Sequence, residues 1–131
     1  MAQKTLVEPK ITEAVRLVQQ LDKARLHSSL AAWFYSDEAR RWRLLIAGPD
    51  FDQLLPKKEA LAYLKLVEAM KKVAPSSLEL SDLQLIRNLS PLAQALRHFT
   101  STEDKALVRA HFSNTTVNGM FIKEAVILRS A

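Results

Sequence analysis

Two acidic side chains, Asp50 and Asp52, follow directly on a strand-like run and are separated by one residue. Carboxylates at this spacing can share a divalent cation, as in metal-dependent enzymes that act on phosphate esters. Aspartates in such a position also commonly solvate a loop or cap a turn before a helix. We therefore predict no metal site and favour loop capping, with Asp50 and Asp52 kept as weak metal-ligand candidates.

A basic cluster with an aromatic residue lies just upstream of this pair. Guanidinium groups can bind phosphates while an indole stacks on a base, and a lysine-rich helix can extend such a surface. The candidate nucleic-acid-binding residues are Arg40, Arg41, Trp42, Arg43, Lys57 and Lys58. The strand pattern favours the alternative that the indole packs in the core and the arginines only solvate the strand, because Trp42 shares a strand face with Leu44 and Ile46.

Signatures of enzyme chemistry are scarce in the rest of the chain. The two glycines, Gly48 and Gly119, are too few and too far apart for a P-loop, a dinucleotide fingerprint or a nucleophile elbow. Without cysteine, the common thiolate zinc sites are excluded. His27, His98 and His111 can transfer protons, but none belongs to a recognisable catalytic motif. We predict no catalytic residue and no cofactor.

Composition indicates an ordinary globular protein. With 131 residues, 48% hydrophobic and 25% charged, the chain suits one domain over residues 1–131, with residues 1–9 as a candidate flexible segment. Neither a signal peptide nor an apolar run of about 20 residues is visible, so we expect a cytoplasmic protein without membrane contact. The net charge of +5 permits binding to a polyanion.

Hydrophobic periodicity predicts three helices and five strands. Ser90 and Pro91 form a helix start, and Asn118-Gly119 is a strong signal for a two-residue hairpin turn. The predicted helices are Ile11–Ala24, Pro56–Val73 and one that begins at Pro91; the predicted strands are Leu30–Ser36, Arg41–Ala47, Leu83–Arg87, Ala106–Val117 and Met120–Arg129.

These elements predict an α+β fold with the order αββαβαββ. We expect a mainly antiparallel five-stranded sheet with the three helices packed on one face. Counting outward from the Asn-Gly turn pairs Phe112 with Ala125 and Ala110 with Ile127. In the helix Pro56–Val73, the predicted buried stripe consists of Ala60, Tyr63, Leu64, Val67, Met70 and Val73.

The combination of aromatic strands and absent catalytic motifs favours a small non-enzymatic binding protein. An open sheet has two edges, and an uncharged strand at an edge invites pairing with another chain. We therefore predict a protein partner or a homodimer, with Trp33, Tyr35 and Ile127 as interface residues. Nucleic-acid binding and metal-dependent phosphate-ester chemistry are the alternatives.

Overall fold

The computed structural model describes residues 8–73, 77–103 and 106–131. The helices are α1 Glu8–Lys23, α2 Pro49–Asp52, α3 Glu59–Lys71 and α4 Pro91–Arg97, with a 3₁₀ turn at Leu80–Asp82. The strands are β1 Leu30–Ser36, β2 Arg41–Ala47, β3 Leu83–Leu85, β4 Ala110–Val117 and β5 Met120–Ser130. Most of the candidate flexible segment 1–9 lies outside the described residues, and its last two residues belong to α1.

The five strands form one mixed sheet in the order β3-β2-β1-β5-β4. Every neighbouring pair is antiparallel except β2 and β3, which run parallel. The α+β class and the mainly antiparallel sheet are thus confirmed. The short helix α2 and the 3₁₀ turn are additions that the periodicity did not reveal, because each is about one turn long.

The hairpin of β4 and β5 has the predicted register. Phe112 lies opposite Ala125, and Ala110 lies opposite Ile127. Asn118 and Gly119 have φ angles of 52° and 75°. Positive φ at both central residues is what a type I′ turn requires, and this turn matches the right-handed twist of the flanking strands.

Helices cover both faces of the sheet, not one face as predicted. α1 and α3 pack with Trp33 and Leu44, whereas α4 packs on the opposite face with Ala32 and Leu45. The physical reason is that β1 and β2 carry apolar side chains on both faces, so each face must be removed from water.

The buried face of α3 is rotated from the predicted stripe. Ala62, Leu66 and Ala69 are buried, whereas Leu64 is 53% exposed. The helix carries apolar residues around much of its circumference, so periodicity alone does not select one face. The rotation is consistent with Tyr63, whose hydroxyl oxygen accepts a hydrogen bond from the backbone N–H of Leu85 at 3.1 Å.

A buried arginine connects the end of β5 to α1. Arg129 has no exposed surface and forms two parallel bonds with Asp22, at 3.0 and 2.9 Å. The same guanidinium donates to the carbonyl and hydroxyl oxygens of Ser28. Such bidentate pairing compensates a charge that would otherwise be costly to bury. Across the described helices, none has the length and apolar character needed to cross a membrane.

Candidate functional site

The two edges of the sheet differ in how far their backbone groups are covered. At one edge, β3 is only three residues long. The backbone N–H of Leu85 on this strand donates a hydrogen bond to the Tyr63 hydroxyl oxygen. The preceding 3₁₀ turn is held by Asp82, which accepts bonds from Arg41 and from the backbone of Glu79, both at 2.9 Å. These side chains leave little of this edge free for another strand.

The opposite edge, β4, is eight residues long and pairs with β5 alone among the described strands. Its sequence from Ala110 to Val117 contains no lysine, arginine, aspartate or glutamate. Val117 and Met120 flank the two-residue turn and form a hydrogen-bonded pair, and such pairs alternate along an antiparallel ladder. The amide of Thr115 therefore faces β5, whereas the amide of Thr116 faces away from the sheet.

Side chains along β4 hold the strand against the rest of the protein and leave its unpaired edge accessible. Phe112 stacks on Phe99 with ring centroids 4.4 Å apart, which holds the strand on the sheet. Thr116 lies opposite Phe121, whose ring is 57% exposed. At Asn114, φ is +48°, which interrupts the regular extended backbone. β4 is thus a firmly seated strand with an accessible edge.

The predicted interface residues lie inside the protein. Trp33 and Ile127 have no exposed surface, and Tyr35 is buried in the same core as Trp33. Ile127 belongs to β5, which has β1 on one side and β4 on the other. In the folded chain these side chains have little or no surface that a partner could contact. The open edge is β4, the more polar of the two strands that pair with β5.

Trp42 and Arg41 are engaged within the chain. The Trp42 indole is 7% exposed and meets the Tyr35 ring edge-on at 5.7 Å. Arg41 pairs with Asp82, as does Lys10 at 3.3 Å. The indole is therefore not available to stack on a base, in agreement with the core alternative.

The remaining basic candidates lie on different elements of the fold. Arg40 is exposed in the turn between β1 and β2, with a φ of 53°. Lys57 and Lys58 are exposed in the segment between α2 and α3. Because α2 starts where β2 ends, the length of β2 separates Arg40 from the two lysines. Arg43 is half-buried on β2.

Asp50 and Asp52 stabilise backbone segments. Asp50 accepts a bond from the N–H of His27 at 2.8 Å, and Asp52 accepts one from the N–H of Asn88 at 3.0 Å. Asp52 also lies 3.4 Å from the guanidinium of Arg87. In residues 8–73, 77–103 and 106–131, no three His, Asp or Glu side chains converge as metal ligands. The geometry fits the loop-capping alternative.

The histidines lie apart from one another. His27 is 3.5 Å from Asp22, next to the buried Arg129. His111 lies 2.9 Å from Glu124 on the exposed hairpin, and His98 caps the end of α4. None of these arrangements places a nucleophile beside a histidine that an acid orients.

A further polar cluster surrounds Arg97 at the end of α4. Its guanidinium donates to the backbone and side chain of Asn88 and to the Ser29 hydroxyl. Burial lowers the pKa of Arg97, and the nearby Asp52 carboxylate partly offsets this effect. The cluster ties α4 to the loops around β1 and β3, which is a structural role that sequence spacing did not reveal.

Comparisons with known proteins add no functional assignment to this geometry. The chain matches no protein-family model, no curated protein and no solved structure.

Proposed function

We propose that this protein is a binding protein that self-associates by pairing the β4 edges of two copies. The observation that carries the proposal is the length and accessibility of β4 at the edge of the sheet, beside the exposed Phe121. An unpaired edge presents a row of hydrogen-bond donors and acceptors that another extended strand can satisfy.

The second copy is the partner that suits this edge for reasons of symmetry and charge. Antiparallel pairing of two identical strands about a two-fold axis creates a closed, self-complementary interface. β4 contains no Lys, Arg, Asp or Glu, so its own copy brings none of these charges opposite a like charge. The imidazole of His111 already has the Glu124 carboxylate at 2.9 Å.

The exposed Phe121 supplies an apolar contact beside the paired strands. It lies on β5 opposite Thr116, so β4 stands between its backbone and a strand added to β4. Neighbouring strands lie about 4.8 Å apart, so the added strand is two strand spacings from β5, and the ring contacts it by extending across Thr116. Burial of Phe121 would add to the backbone hydrogen bonds of the new pair.

Light scattering after size-exclusion chromatography tests the proposal. We expect the wild type to run as a dimer at high concentration and Thr116→Pro to run as a folded monomer. Proline at this position removes only an outward-facing amide, which edge strands tolerate. A monomeric wild type, or a Thr116→Pro variant that dimerises as well as the wild type, would overturn the proposal.

A matched control separates loss of the interface from loss of an exposed side chain. Thr116→Val keeps the outward amide and the shape of the side chain, so it should dimerise like the wild type. If the threonine hydroxyl carried the contact, the valine variant would be monomeric as well.

Electrostatic contact with nucleic acid is the second candidate function, supported by exposed Arg40, Lys57 and Lys58 and the net charge of +5. Phosphate contacts release counterions, so such binding weakens steeply with salt. We expect any retardation of DNA or RNA at low salt to be lost when Arg40, Lys57 and Lys58 are all replaced by glutamine. Absence of retardation by the wild type at low salt would exclude this candidate.

A further inference from the structure

A depression of about 320 Å³ lies on the α4 face of the sheet, beside the part of the face that α4 covers. Its apolar surface comes from Phe34 on β1, Leu45 on β2 and Leu92 in the first turn of α4. Leu45 is almost fully buried, whereas Phe34 and Leu92 are half-buried. The short helix α4 therefore leaves a hollow next to it, whose apolar wall is joined by polar side chains.

Two polar side chains that have no partner among the described residues face this hollow. Arg43 lies directly opposite Phe34, and Gln84 lies directly opposite Leu45. Across the described part of the chain, neither the Arg43 guanidinium nor the Gln84 amide has a hydrogen bond or ion pair. Arg41, two residues away on the same strand, is by contrast paired with Asp82.

We propose that this depression binds a small monocarboxylate with a flat apolar body. The Arg43 guanidinium forms a bidentate pair with the carboxylate, a geometry that arginine favours. The Gln84 amide donates to the same group, and the apolar body lies on Phe34 and Leu92. Apolar side chains combined with convergent polar groups are the usual form of a small-molecule site, and this depression presents both.

Charge and size select this class of ligand. Ligand pockets span roughly 300–1,000 Å³, so a volume of about 320 Å³ lies at the lower end of this range and fits a small molecule. Glu38 stands on the rim and disfavours ligands with several negative charges. Two other depressions lack a free cationic group, because Arg97 is bonded to Asn88 and Lys123 pairs with Asp37 at 3.4 Å.

Titration with phenylacetate, followed by amide NMR, tests this site. We expect a dissociation constant on the order of millimolar, as suits a ligand of this size, with shifts centred on Phe34, Arg43 and Gln84. The neutral analogue phenylacetamide should bind at least about tenfold more weakly, because it lacks the carboxylate that pairs with arginine.

Variants locate the effect on one side chain. Arg43→Gln should weaken phenylacetate binding at least about tenfold, and Arg43→Lys should fall between that variant and the wild type because it keeps charge without the planar fork. Arg40→Gln, a matched loss of charge outside the depression, should bind like the wild type. Thermal melts check that all variants are folded.

Three results would overturn the proposal: equal affinity for the acid and the amide, wild-type affinity in Arg43→Gln, or shifts centred on Arg97 or Lys123. Absence of any shift at phenylacetate concentrations about ten times the expected constant would overturn it equally. Dimerisation through β4 is measured separately, so failure of one proposal leaves the other intact.

Discussion

The two edge strands of this sheet, β3 and β4, differ in how far their unpaired backbone N–H and C=O groups are covered. β3 is three residues long, and its Leu85 amide donates a hydrogen bond to the Tyr63 hydroxyl. β4 is eight residues long, and within the described structure only β5 pairs with it. A strand order alone does not say which edge another chain can use. The side chains that reach the edge decide this.

A lysine should have a large effect on stability in the inner strand β5 and a small effect in the edge strand β4. Ile127→Lys should unfold the protein, with a loss of at least about 4 kcal/mol, because Ile127 is fully buried and a lysine there has no partner. Thr116→Lys should change the free energy of unfolding by less than about 0.5 kcal/mol. Circular dichroism during urea unfolding measures both, and a folded Ile127→Lys variant would contradict the burial of β5.

The second prediction distinguishes the two sides of β4. Thr115→Pro should destabilise the chain by about 2–3 kcal/mol, because it removes an amide that bonds to β5. Thr116→Pro should cost less than about 1 kcal/mol, since its amide faces outward. The comparison uses urea unfolding at low protein concentration, where dimerisation contributes least. Equal costs at the two positions would mean that the assigned alternation is wrong.

The third prediction concerns the turn that positions β4 beside β5. Gly119→Val should cost about 1–2 kcal/mol through backbone strain, because φ at this residue is +75°. No heavy atom lies within 4 Å of the added Cβ, so a steric clash does not contribute. Asn118→Gly keeps positive φ accessible and serves as the control. An unchanged melting temperature in Gly119→Val would contradict the type I′ turn.

The fourth prediction tests the covered edge directly. Tyr63→Phe should destabilise the protein by about 1 kcal/mol, because the Leu85 amide loses its acceptor. Hydrogen exchange at Leu85 should accelerate at the same time. Tyr35→Phe is a matched control, because no hydrogen bond to the Tyr35 hydroxyl is present among the described residues. If Leu85 exchanges equally in both variants, the Tyr63 hydroxyl does not protect β3.

Most of the fold was predictable from the sequence. For the candidate interface, the sequence predicted an open sheet edge but did not identify the strand that forms it. The sequence indicated that an open sheet would have an edge to protect, but the uncharged run Ala125–Leu128 pointed to β5, which lies inside the sheet. That run is uncharged because this part of β5 is buried on both faces between β1 and β4. The polar β4 carried little signal, since serine, asparagine and threonine also suit an ordinary solvated strand.

The depression at Arg43 illustrates the same limit at a smaller scale. Sequence spacing grouped Arg43 with Arg40 and Arg41 as one basic cluster. In the fold, Arg41 turns to Asp82, whereas Arg43 lies beside Phe34. Asp82 is far from Arg41 along the chain, so no local pattern could reveal which arginine would be left without an acidic partner.

The sequence by itself determined the features that depend on neighbouring residues. The Asn118-Gly119 turn follows from the φ values those residues tolerate, and Ser90 caps α4 by accepting a bond from the Ala93 amide. Strand order, the rotation of α3 and the choice of open edge were decided only by the tertiary structure. These depend on competition among apolar surfaces distant in the chain, since hydrophobic burial is non-directional and each surface can be covered in several ways.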